Sequence, residues 1–407
     1  MSRVVVLGGC GGIGSVAVKT LAESGEFDDV VIADKDIKLS CEFAESLRAV
    51  CNVSAAEFDA ESPDSTRKVI EGSSVVLNCV GPFYRFGPSI LKTVIESGIN
   101  YVDVCDDLDA TEKMLALDDD AKNAGICALI GMGNSPGMAN VIARWCADEM
   151  LDSVEAVDIF HAHGGEQNEG GAVVKHRIHA MTSDIPLFVN GEFITVRMLE
   201  KSGERFVEET EFAELGTYPV YPYPHPETIT LPRFLKGVKR VVNMGVVLPL
   251  EYFELTKSLV RLGICSEEPL KVGDQEIVPL EFAVAYILSK RQEILKRAGM
   301  NEPTGCLKVR VRGEKDGKPH TYVFSMFSKG AGAGEGTGIP AALGAMMMAS
   351  GAIKGRGVLP PEACVSPREM LKLAGSVIKG TRLGERVPLY IEHIDKSGRV
   401  EMIDFRL

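Results

Sequence analysis

Residues 4–15 read VVVLGGCGGIGS, a run of β-branched apolar residues that breaks into glycine. Arg3 to Leu7 has the composition of a buried strand. The loop Gly9-Cys10-Gly11-Gly12-Ile13-Gly14 fits the G-x-G-x-x-G pattern, and Ile13, Val16, Ala17 and Leu21 then recur at helical spacing. A second strand, DDVVIAD, ends in Asp34, 20 residues after Gly14. Strand, glycine loop, helix, strand and terminal acid are the parts of a dinucleotide-binding βαβ unit. In that unit Gly9 allows the tight turn, and Gly11 brings backbone amides close to a pyrophosphate at the positive end of the helix. Gly14 lets helix and strand approach, and Asp34 accepts hydrogen bonds from the adenosine ribose. A carboxylate there repels a 2′-phosphate, so NAD is expected over NADP, with Lys35 next door softening the preference and leaving NADP possible.

The alternation continues downstream. AAEFDA predicts a short strand ending near Asp59, a candidate for adenine contact, and a helix follows over about 62–71. Val75 to Val80 predicts a buried strand that breaks at Gly81-Pro82. Ligands of open α/β sheets lie beyond the carboxyl ends of the strands, which places Cys79, Val80 and Gly81 beside the nicotinamide and Phe83 toward the substrate. A helix is expected over 89–96, then a strand ending at Asp103, another helix and the strand GICALIGMG. Cys79 and Cys105 are expected as pocket wall. Six strand–helix steps in 1–135 make a doubly wound Rossmann domain with a parallel sheet.

Beyond Asn134-Ser135-Pro136-Gly137 a helix is expected over 138–150, and the texture then changes. Asn134 or Ser135 is placed to cap that helix or hold a substrate carboxylate. VEAVDIFHAHGG, VVKHRIHAM, PLFVNGEFITV and LKVRVRGEKDGKPHTYVFSMFS read as strands, with hairpin turns at Asn190-Gly191 and within Lys315 to Lys318. Helices are expected over 233–244 and 279–297. Residues 136–335 thus predict an α+β domain with a mostly antiparallel sheet, for substrate and dimer contacts. The glycine-rich run from Gly330 reads as a flexible connection rather than a second phosphate cradle, leading to a helix that returns, over about 336–407, to the first domain.

The net charge of −13 argues against a nucleic-acid partner, which recruits excess Lys and Arg. No apolar run reaches the roughly 18 residues of a membrane span. Ten cysteines without a CxxC pair suggest reduced thiols in a cytoplasmic protein. His161 and His163 share one strand face, with His176 and His179 nearby, but no cysteine or carboxylate stands at ligand spacing, so no metal is expected. Asp103, at a strand end, and His163 are the candidate bases, with Asp103 preferred. Arg177 and Arg233 are the candidate partners of a substrate carboxylate.

Taken in order, VVVLGGCGGIG, NCVGPFYRFG, INYVDVCDD, GMGNSPGMAN, FHAHGG, FVNGEFITV, PETITLPRFLKGVKRVVNMG and GTGIPAALGA resemble the saccharopine dehydrogenase family. That resemblance implies a nicotinamide-binding first domain, an α+β second domain that dimerises, and reversible hydride transfer at a C–N bond. The fungal reductases carry an acid in a GLDPG motif where this chain reads Gly133 to Gly137 as GNSPG, which argues against saccharopine itself. The family's arginine after the GG turn has its nearest positional match in Arg177. The first reading is an NAD-preferring dehydrogenase of a lysine-derived amino acid or opine. Its alternatives are a polyamine-branch dehydrogenase, which needs an acidic pocket for a second amine, and a non-catalytic NAD-binding regulator.

Overall fold

The computed structural model describes residues 2–166, 169–330, 332–378 and 389–403. Strands β1 (Arg3–Leu7), β2 (Asp29–Asp34), β3 (Val53–Glu57), β4 (Val75–Asn78), β5 (Asn100–Asp103) and β6 (Cys127–Leu129) pair in parallel in the order 3-2-1-4-5-6. A seventh strand, Gly357–Leu359, extends the β6 edge in the same direction. Val4 to Leu7 is wholly buried, as a strand covered by helices on both faces must be. Each such side chain contributes roughly 1.5–3 kcal/mol when removed from water. The order reverses between β1 and β4, and this switch point is where an open sheet presents its ligand crevice. Helix α1 (Gly14–Ser24) follows the glycine loop.

The second sheet is mixed and mostly antiparallel. Its central strand β7 (Ser153–Gly164) runs parallel to Arg240–Leu248 on one side and antiparallel to Thr304–Lys315 on the other. Both expected hairpins form. Asn190-Gly191 and Asp316-Gly317 hold the left-handed backbone that two-residue turns of this kind require (φ 55° and 81°, then 52° and 67°).

Four expectations are corrected. VVKHRIHAM is not a strand but lies in the helix Gly171–Thr182, which buries Val174, Ile178 and Met181 at helical spacing. The helix expected over 233–244 ends at Phe234, and Arg240–Leu248 is a strand. That strand lies between two layers, so its near-continuous apolar run erases the alternation that marks a half-buried strand. The helix expected from residue 89 begins at Phe83. The glycine-rich tail is not a flexible connection, because residues 333–349 are helical.

Gly334 and Gly338 form one face of this tail helix, seated on the nucleotide loop. A Cβ at Gly334 would stand 2.6 Å from the Gly12 carbonyl oxygen, and one at Gly338 2.7 Å from that of Ile13. The chain then adds Gly357–Leu359 to the first sheet, but Leu389–Ile394 and Val400–Ile403 join the second. The segment 336–407 therefore divides between both domains; its residues 379–388 and 404–407 lie outside the described residues.

Candidate active site

The glycine loop opens into a groove of about 1400 Å³ along the carboxyl ends of β1, β2 and β4. Gly8, Gly11, Asp34, Lys35 and Asp59 line it on one side, and Cys79, Val80 and Gly81 on the other. The glycines divide their work differently from the simple motif. The positive φ, 74°, belongs to Gly8, where a Cβ would press on the Cys79 carbonyl at 3.1 Å. At Gly9 a Cβ would meet Ile32 at 2.9 Å, and at Gly14 it would lie 2.1 Å from the Gly8 oxygen, so Gly14 lets the helix start against the turn. Gly11 has only the Gly8 oxygen near its missing side chain, at 3.3 Å, and Gly12 faces open space. No side chain caps α1 at Ile13; the Ser15 amide already donates to the Gly11 carbonyl (2.9 Å), and the positive end of the helix still faces the groove. Asp34 Oδ2 accepts from the Cys10 amide (3.0 Å) and Oδ1 from the Asp36 amide (3.3 Å), fixing the carboxylate at the groove. Open space at Gly12, the positive end of a helix and an anchored acid fit a dinucleotide.

A second cavity, about 320 Å³, lies beyond β5 and β6 where the two domains meet. The first domain contributes Asp106, Asn134 and Ser135, and the helix 333–349 contributes Gly336 and Thr337. The second domain contributes His161 and His163 from β7, His176 and Arg177 from the helix 171–182, then Glu166, Tyr223 and His225. His161 lies against the backbone of Gly245; a Cβ there would stand 2.0 Å from its Cε1. Its ring meets Tyr223 edge-on at 5.1 Å and His225 at 5.5 Å.

The charges in this cavity are paired unevenly. Arg177 is buried, donates to Glu169 and lies 5.0 Å over the Tyr252 ring. Glu169 also accepts from Tyr252 and from Arg291 Nε (3.0 Å), so two guanidinium groups share one carboxylate. Among the described residues Arg177 Nη1 is buried without a partner, and a buried unpaired donor is costly until an anion meets it. His176 forms an ion pair with Asp107 across the domain boundary at 3.3 Å. Burial opposes its charge, but Asp107 and Asp106 outweigh that and raise His176 to about 9. Burial, with His225 and His163 nearby, pushes His161 far down, so it is neutral.

Not every sequence candidate reaches a cavity. Asp103 is fully buried; its Oδ1 accepts from the Cys105 amide (3.0 Å) and the Gly131 amide (2.7 Å), tying β5 to the turn after β6. Burial raises it to about 6 against those two amides, yet it lines neither cavity. The second cavity is walled instead by His161, His163, His176 and His225. Phe83 is core at the start of its helix, and Cys105 is buried beside Thr111. Arg233 is exposed on the helix 227–234, and His179 is exposed beside the Tyr84 ring.

The sequence reading missed Tyr223, His225 and Glu227, which fall in YPYPHPE, where a proline at every second position masks any helix or strand pattern that would flag them. Glu227 has no exposed surface. It accepts from Ser135, and from Asn243 Nδ2 at 3.4 Å, and pairs with His225 Nδ1 at 3.3 Å.

The fold and its groove define a dinucleotide-binding protein of the Rossmann class. The chain belongs to the saccharopine dehydrogenase family: the family's NADP-binding domain matches residues 4–129 and its C-terminal domain residues 133–378. It is 24% identical over 382 residues to a carboxyaminopropylagmatine dehydrogenase of Synechocystis, covering 89% of this chain and 92% of that one. It is also 24% identical to a carboxynorspermidine synthase of Vibrio cholerae, covering 76% and 78%. The apo saccharopine dehydrogenase (L-Glu forming) of Saccharomyces cerevisiae shares the fold, with a TM-score of 0.69 at 16% identity over 97% of this chain and 100% of that one.

Proposed function

We propose that this protein makes or breaks the C–N bond of a secondary amine that carries a carboxylate on one side and a further cationic amine on the other. The observation that carries the reading is one cavity lined by buried Arg177, with Nη1 unpaired among the described residues, and by the carboxylates of Asp106 and Glu166. Arg177 meets the substrate carboxylate, and Asp106 and Glu166 hold the distant ammonium. The sequence reading set an acidic pocket as the condition for the polyamine branch. The similarity to enzymes named for carboxynorspermidine and carboxyaminopropylagmatine supports that branch over a lysine-derived opine.

Gly11, Gly12 and the first turn of α1 hold the dinucleotide phosphates, and Asp34 holds the ribose. The bound nicotinamide supplies the hydride acceptor or donor. The amine nitrogen must be unprotonated for its lone pair to assist hydride departure, and neutral His163 faces the cavity to take that proton. NAD is the preferred nucleotide on the strength of Asp34.

The test follows nicotinamide absorbance with NAD and with NADP. The panel is carboxynorspermidine, carboxyaminopropylagmatine, saccharopine and lysine. Turnover of a polyamine conjugate is the expected result. Turnover of saccharopine or lysine alone rejects the substrate class, and faster turnover with NADP rejects the nucleotide preference.

A further inference from the structure

Behind the wall of the substrate cavity lies a set of polar groups that neither the dinucleotide nor the substrate charges require. His225 faces the cavity, and Glu227, with no exposed surface, stands behind it with the Nδ1–Oε2 distance at 3.3 Å. Ser135 and Asn243 donate to the other oxygen of Glu227. The set draws on three parts of the chain: the loop after β6, the run from His225 into the start of the helix 227–234, and the strand 240–248. At 3.3 Å the pair is held by charge and not by a formed hydrogen bond, since His225 Nδ1 and Glu227 Oε2 each lack one among the described residues, and a carboxylate so placed favours the charged imidazole.

We propose that His225 is the acid–base group for water loss and water addition at the reacting carbon, with Glu227 as its positioning residue. The assignment rests on the C–N reaction proposed above. In the forming direction, amine and carbonyl have joined as a carbinolamine. Its C–O bond breaks as the nitrogen lone pair forms C=N, and the oxygen takes the proton of His225 and leaves as water. In the reverse direction water adds to the iminium carbon and its proton passes to neutral His225; His225 returns that proton to the nitrogen, and the C–N bond then breaks as the oxygen forms C=O and gives its hydroxyl proton to His225.

The surroundings give the dyad the state this requires. Burial alone disfavours charge on His225, and His176 opposes it, but Glu227 and Asp106 outweigh both and raise its pKa. His161 and Tyr223 flank the ring at 5.5 and 5.7 Å, and His161 stays neutral. Beyond Glu227, the buried Glu362 accepts from Asn140 at 2.8 Å. Burial lifts Glu362 to about 7, with Glu227 adding to the rise, so Glu362 carries a proton for part of the time and spares Glu227 a second full negative charge nearby. The cavity thus holds an acid, His225, and a base, His163, with opposite preferences.

The experiment is a pH titration of the histidine side chains of the full chain by nitrogen–proton correlation NMR, with His225→Gln supplying the assignment. In the unsubstituted protein His225 titrates above the ordinary histidine value of 6.5. In Glu227→Gln, which keeps the shape and removes the charge, its midpoint falls by about one pH unit or more. Glu227→Asp restores part of that shift. The limb of the kcat profile that reports the acid moves with the midpoint, while nucleotide affinity stays constant. An unmoved midpoint overturns the dyad. If Glu227→Gln does not fold, the unsubstituted protein decides: a His225 that is neutral down to pH 6 overturns it. A shifted midpoint with no turnover of any panel amine upholds the coupling and overturns the reaction instead.

Discussion

Gly338→Ala and Gly336→Ala separate packing from propensity on a single helix. Both remove a helical glycine, which alone stabilises by about 0.5–1 kcal/mol. At Gly336 a Cβ meets nothing within 4 Å, so that gain stands alone. At Gly338 the Cβ would lie 2.7 Å from the Ile13 oxygen, 3.0 Å from Val16 Cβ and 3.1 Å from the Ala17 amide nitrogen. Ordinary contact begins near 3.4 Å, so the closest approach is about 0.7 Å short, and the obstructing atoms include α1 backbone that cannot rotate away. Overpacking of this kind costs about 1–3 kcal/mol. Propensity cancels between the two variants, so Gly338→Ala should be less stable than Gly336→Ala by the steric cost alone. Denaturant unfolding measures the difference, and titration with NAD measures its consequence. The clash pushes the helix away from Gly12 and Ile13, so nucleotide affinity falls about tenfold in Gly338→Ala, equivalent to 1.4 kcal/mol, and stays constant in Gly336→Ala. Equal stability and equal affinity would show that the glycine-rich tail is not a packing face for the nucleotide loop.

Asp34→Ala should weaken NAD by roughly 10–100-fold, the scale of a lost charged hydrogen bond, and NADP by less; equal losses, measured by titration, would remove the ribose contact from Asp34. Arg177→Gln should raise the KM for a carboxylate-bearing amine by about 30-fold or more, with kcat changed little, because Glu169 keeps Arg291 and Tyr252; a loss confined to kcat in steady-state kinetics would refute the carboxylate role. His176 is raised to about 9 from 6.5, so its contribution to stability is complete below 6.5 and disappears as pH rises through 9. Thermal unfolding should therefore show a stability fall across that window that is absent in His176→Gln, and identical profiles would mean that the Asp107 pair adds nothing.

The first domain was legible because its signals are local. Glycine spacing, a buried strand and an acid 20 residues on are decided within one βαβ unit, and Asn190-Gly191 and Asp316-Gly317 carry their own turn geometry. What failed depended on partners elsewhere. Arg240–Leu248 is apolar along nearly its whole length because the flanking helices 227–234 and 250–261 fold back to pack on it, a burial that the strand's own sequence does not announce. Asp103 does end a strand as read, but whether its carboxylate faces the cavity or turns back to Gly131 depends on a contact 28 residues away. Glu227 reaches Ser135 across 92 residues, and nothing in PHPE announces that.

The tail helix shows why the two cavities belong to one device. Gly334 and Gly338 recur one turn apart and share the face that touches Gly12 and Ile13. Gly336 and Thr337 lie between them in sequence, turned toward the substrate cavity. One turn of helix therefore stands between the glycine loop and the second cavity, with its position set by backbone contact at that loop. The helix packed on the glycine loop also forms one side of the cavity that Arg177, Asp106 and His225 complete from the others. The smallness of Gly334 and Gly338 is thus as much a feature of the substrate site as of the nucleotide site. This accounts for a glycine-rich segment some 320 residues from the loop it serves.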